Sequence, residues 1–188
     1  EGIFVYEIHT LEFDLVIDES ITIPENAQLV TDSMGAPRAA VIKEGCTVTL
    51  DNSKWYSSVP ITVEGVLDNS NGSLYLYYDF YAELNVAENG YLLDSTTYIY
   101  SDSLTNPFDA VKGVNEENYI YYSSSDGRGR VVVLTHTCQH HLGYDSDFDS
   151  QEVKPTCADR GYTYYECRYC AENFKLNFTE PTGIHTYS

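Results

Sequence analysis

Four residues near the C-terminal end have the types and the spacing of a metal site. Cys167 and Cys170 form C-x-x-C, which lets two thiolates of one turn face a single ion. Cys157 lies ten residues before Cys167, and His185 lies fifteen after Cys170. Two ligands on a knuckle and two from flanking strands make a tetrahedral Cys3His set, whose expected ion is zinc. Such a shell is closed to substrate, so its role is structural. It holds together a unit too small to be stable by core burial alone. His136 or His140 is the alternative fourth ligand, with His141 beside them. The same thiols allow a second reading, a Cys167–Cys170 or Cys157–Cys167 disulfide in an oxidising compartment. The chain has 5 cysteines, an odd number, so they cannot all pair with one another.

Other chemistry is thinner. His136, Cys138 and His140 alternate, which on a strand puts them on one face. They read first as a polar strand end, and second as ligands shared with the Cys unit. Asp145, Asp147 and Asp149 repeat as in a calcium loop, but Ser150 stands where the turn glycine belongs and Thr156 where the bidentate Glu belongs. A solvated acidic loop is expected there. Cys46 shares a strand face with Val48 and Leu50, so it is expected to point inward as a small hydrophobe. The tyrosine clusters at residues 74–81, 98–100 and 119–122 fit outward ladders that stiffen a sheet, or a strip on which sugars stack. No nucleophile elbow, P-loop or H-E-x-x-H occurs.

The elements that must carry these residues are strands. From Glu1 to about Ser103, β-branched and aromatic runs of three to six residues are separated by Asn, Gly, Asp and Ser. A weak repeat of the form apolar-x-apolar, acid, Gly or Asn, apolar runs through them. Its anchors are Ile23, Ile42, Val63 and Val86, spaced 19, 21 and 23 residues apart. Each unit reads as one coil of a short parallel β-solenoid, turned at its corners by residues that tolerate positive φ. The alternative is an antiparallel β-sandwich. Ile3-Phe4-Val5-Tyr6 is expected to begin an N-terminal cap. Tyr119–Tyr122 and Arg130–Leu134 are expected to form a hairpin around Asp126-Gly127 that ends the β-domain. The expected division is 1–135 for an all-β solenoid with its end hairpin, and 136–188 for a small Cys/His unit. Leu142–Glu152 reads as an exposed acidic loop between them.

Two resemblances follow from these residues. The repeat over Phe13–Tyr100 resembles the right-handed β-helix segments of bacterial surface proteins and autotransporter-like adhesins. Pro155-Thr-Cys157, Gly161, Tyr165-Glu-Cys167-Arg-Tyr-Cys170 and Pro181-Thr-Gly183-Ile-His185 resemble a Cys-rich tandem repeat of Gram-positive gut-bacterial surface proteins. Ala171 replaces that family's usual Gly, and Ile184 is an insertion before His185. The resemblance implies a secreted or cell-surface location. Composition agrees with it: 29 Asp+Glu against 10 Lys+Arg give a formal charge of −19, which repels nucleic-acid phosphates and anionic lipid. No apolar run is long enough to span a membrane. Glu1 starts without a basic n-region, which reads as a mature form or a fragment. The expected function is a non-catalytic spacer or adhesion unit meeting glycan or a host or cell-wall surface. The alternative is a carbohydrate-binding or polysaccharide-degrading β-helix protein.

Overall fold

A computed structural model of the chain describes residues 14–32, 38–94, 96–125, 129–138, 148–170 and 172–183. The segment expected to begin an N-terminal cap, at residues 3–6, lies outside them. The described chain is all-β and winds as a parallel solenoid of about 4 turns. The first coil holds β1 (Leu15–Ile17), β2 (Ile21–Ile23) and β3 (Gln28–Thr31). The second holds β4 (Ala40–Ile42), β5 (Thr47–Leu50) and β6 (Lys54–Ser57). The third holds β7 (Ile61–Val63), β8 (Val66–Asn69) and β9 (Ser73–Tyr77). The fourth holds β10 (Leu84–Val86), β11 (Tyr91–Asp94) and β12 (Thr97–Tyr100), and β13 (Val111–Lys112) opens the next turn.

Like strands stack in parallel into three sheets. The first is β1-β4-β7-β10-β13, the second β2-β5-β8-β11, and the third β3-β6-β9-β12. The register Ile42↔Val63↔Val86 matches the sequence repeat. The first anchor does not. Ile17 pairs with Ile42, 25 residues away, while Ile23 sits in the second sheet opposite Leu50. Every coil has several strands that end in a polar turn, so the apolar-x-apolar-turn signature recurs within a coil as well as between coils.

Inward positions form one column. Ile42, Val48, Leu50, Trp55, Ile61, Val63, Leu67, Leu74, Leu76, Leu84 and Ile99 are fully buried, and Cys46 lies among them as expected. The corner between the first and second sheets explains its glycines. Gly45 adopts φ +81°, and a Cβ on Gly90 would lie 1.9 Å from the Val63 carbonyl oxygen of the coil beneath.

The last coil is closed by the expected hairpin, β14 (Tyr119–Ser125) and β15 (Arg130–His136), whose turn at 126–128 lies outside the described residues. β15 pairs antiparallel with β12, which ends the parallel stacking of the third sheet. A separate antiparallel sheet follows: β16 (Phe148–Val153), β17 (Gly161–Cys167) and β18 (Asn173–Thr179). The acidic stretch expected as a loop is thus a strand from Phe148 onward. β17 supplies its partner, Phe148 is buried, and Asp149 and Glu152 stay exposed.

This small sheet lies against the solenoid. Val66, Tyr91 and Leu93, on the outer face of the second sheet, form one buried cluster with Phe148, Cys167 and Phe174. Tyr91 and Phe174 stack at 4.4 Å. Further along the flank, Arg160 pairs with Glu44 at 3.0 Å, and a Cβ on Gly45 would lie 3.2 Å from the Phe178 ring. Among the described residues no helix is long and apolar enough to cross a membrane.

Candidate metal centre

β17 alternates as a strand must, then turns at Arg168–Cys170 into β18. The Cys167 N–H donates to the Glu172 carbonyl at 2.8 Å and closes the turn. This places Cys167 at the last strand position and Cys170 within the turn. Cys138 arrives from the other side, two residues past the end of β15. The sulfurs of Cys138, Cys167 and Cys170 all lie within 4.8 Å of one another. Those of Cys138 and Cys167 are 3.7 Å apart, and none of these cysteines is in a disulfide. A tetrahedral ion with metal–sulfur bonds of about 2.3 Å needs a sulfur–sulfur edge of about 3.8 Å.

The knuckle also carries donors for thiolate. The Tyr169 N–H points at the Cys167 sulfur at 3.4 Å, and the Glu172 N–H donates to the Cys170 sulfur. Without an ion, burial pushes the Cys170 thiol up to about 12, and the neighbouring Cys167 and Glu172 add to this. The metal-free cluster is therefore protonated at neutral pH. An ion entering it displaces protons.

Beside the thiols lies a buried carboxylate that the sequence reading missed. Glu172 accepts from the Tyr91 hydroxyl at 2.9 Å and from Asn118 Nδ2 at 2.7 Å, and its carboxylate is 3.3 Å from His136 Nε2. Burial alone would raise the Glu172 carboxyl. The hydrogen bonds from His136, Asn118 and Tyr91 outweigh it and hold the group below the usual glutamate range. Tyr91 moves the other way, since burial and the facing carboxylate keep its phenol protonated. His136 is fully buried, and the Cys138 N–H donates to its Nδ1 at 3.0 Å. That bond leaves a proton on Nε2, aimed at Glu172. Glu172 therefore joins the end of the solenoid to the small sheet.

The candidate ligands divide as follows. Cys167 and Cys170 are brought together with Cys138. Cys157 is exposed in the bend between β16 and β17, and it is not in the group. His136 is grouped with Cys170 and Glu172, not with all three thiols. His140, His141 and His185 lie outside the described residues. Cys138 was visible only as part of an alternating His/Cys run. Its partners lie 29 and 32 residues further on, and only the packing of the small sheet on the second sheet joins them. Glu172 carried no signal beyond its position two residues after Cys170.

The tyrosine clusters form the expected ladder on the outer face of the third sheet. Tyr56, Tyr75 and Tyr98 stack at 4.6 and 4.8 Å, and Tyr77 stacks on Tyr100 at 5.0 Å. Their ring faces cover one another, so the ladder presents edges and hydroxyls to water. Neither a family model, nor a curated protein, nor a solved structure matches this chain.

Proposed function

We propose that the chain is a non-catalytic, surface-displayed unit of a secreted or wall-attached bacterial protein, in which a structural zinc ion fastens a small Cys unit to a stiff solenoid. The observation that carries the metal reading is the convergence of the Cys138, Cys167 and Cys170 sulfurs, at tetrahedral-edge distance and with backbone N–H donors on two of them. The fourth ligand is assigned to a histidine. His141 stands to Cys138 as Cys170 stands to Cys167, three residues on; His140 and His185 are the other candidates. Three thiolates and an imidazole leave no open coordination position, which fits a structural ion and not a catalytic one. The surface role is supported by the charge of −19, the solenoid, and the resemblance of the Cys unit to surface-protein repeats.

Elemental analysis of protein purified without added metal, with thiol titration before and after denaturation, tests the site. One zinc per chain is expected, with the cluster thiols reactive only after denaturation or chelation. A metal content near zero together with a Cys138–Cys167 or Cys167–Cys170 disulfide overturns the proposal.

A further inference from the structure

The solenoid has one corner that does not stay short. Between the first and second sheets, and between the second and third, the connections hold two to four residues in every coil. Between the third sheet and the first, they lengthen from 3 residues after β6 to 6 after β9 and 10 after β12. Extra residues in a repeat fold collect in loops on one face, and that face is commonly the binding face.

The two long connections are tied together. The Asp79 carboxylate accepts from Ser101 Oγ at 2.7 Å, from the Asp102 N–H at 2.9 Å and from Ser103 Oγ at 3.2 Å. Tyr78, Asp79, Tyr81, Glu83 and Ser103 line an open pocket of about 280 Å³. At its rim the chain holds two large aromatic rings out in water, Phe80 at 61% exposure and Tyr81 at 83%. Tyr81 does so at φ 73°, a conformation that suits glycine and strains a bulky side chain. Its N–H donates to the Tyr78 carbonyl at 2.8 Å, which fixes the turn. Among the described residues neither ring stacks on another, in contrast to the ladder on the third sheet.

We infer that this pocket is a binding site for an uncharged saccharide, one pyranose ring of which stacks on Tyr81 or Phe80 while its hydroxyls meet Asp79, Glu83 and Ser103. A pyranose has an apolar C–H face that fits a free aromatic ring, and hydroxyls that fit fixed polar groups. No basic side chain lines the pocket, and the molecule carries a charge of −19, so acidic glycans are disfavoured. The site lies away from the cysteines and stands or falls independently of the metal centre.

The test is calorimetric titration with neutral gluco-, manno- and N-acetylglucosamine oligosaccharides, with polygalacturonate as the acidic control. The variants are Tyr81→Gly and Tyr98→Ala. Wild type is expected to bind at least one neutral oligosaccharide with Kd below about 1 mM. Tyr98→Ala keeps that affinity. Tyr81→Gly loses it tenfold or more while melting at the same or a higher temperature, because glycine relieves the positive φ. The higher melting point separates lost recognition from lost folding. Absence of binding to every neutral oligosaccharide, binding only to the acidic polymer, or affinity retained in Tyr81→Gly overturns the inference.

Discussion

At the scale of single residues, the cysteines are not equivalent. Cys138→Ser and Cys167→Ser each remove a sulfur from the cluster, and zinc content measured on the purified variants is expected to fall below about a tenth of wild type. Cys157→Ser, at an exposed bend, leaves zinc content unchanged. Equal loss in all three variants would place Cys157 in the shell. Glu172→Gln keeps the shape but removes the charge that Tyr91, Asn118 and His136 face. It is expected to lower stability by about 1–3 kcal/mol in chemical denaturation. Its pH dependence has a definite sign. A carboxyl held low in the folded state contributes stability above its unfolded pKa and loses it as pH falls through the folded value. Wild type should lose that increment below the usual glutamate range, and Glu172→Gln should show a flatter acid limb. The C-x-x-C pair was legible in the sequence because both ligands sit on one turn. Cys138 and Glu172 were not, because their roles depend on partners delivered by other elements.

At the scale of elements, the parallel solenoid follows from short apolar runs that end at polar corners. Gly90 is a sharp test of that stacking. A methyl group there meets the Val63 carbonyl at 1.9 Å, so Gly90→Ala must push two coils apart. A loss of about 1–3 kcal/mol is expected, read as a lower midpoint in urea. An unchanged midpoint would mean that the coils do not contact at this corner. Leu93→Ala probes the other contact, between the second sheet and β16–β18. Leu93 is fully buried on the outer face of its sheet, and its truncation is expected to cost about 2–5 kcal/mol. The coil register was readable from Ile42, Val63 and Val86. The first coil was misaligned because Ile21–Ile23 carries the same local signature in a different sheet. The small sheet's strand at Phe148 was hidden by its composition, since its exposed face is acidic and only Phe148 is buried.

At the scale of the whole molecule, the two β-units share a cluster but have different supports. The solenoid has its own continuous core, whereas the small sheet depends on Phe148, Phe174, the outer face of the second sheet and the proposed ion. Chelation is therefore expected to split thermal unfolding into two transitions. Hydrogen exchange should show early loss of protection in β16–β18 and retained protection in β4–β12. A single transition that moves as one on chelation would mean the two units unfold together. The contact along the flank has a mechanical consequence. The small sheet packs on Tyr91 of the fourth coil, and its far end, with Arg160 and Phe178, reaches Glu44 and Gly45 of the second. β18 runs toward that far end, so the described chain leaves near the coils with which it began. Tension applied at residues 14 and 183 would then pass through the flank contact rather than along the solenoid axis. Under load the small sheet should peel away first, as a sacrificial clasp, and lengthen the chain before any coil unwinds.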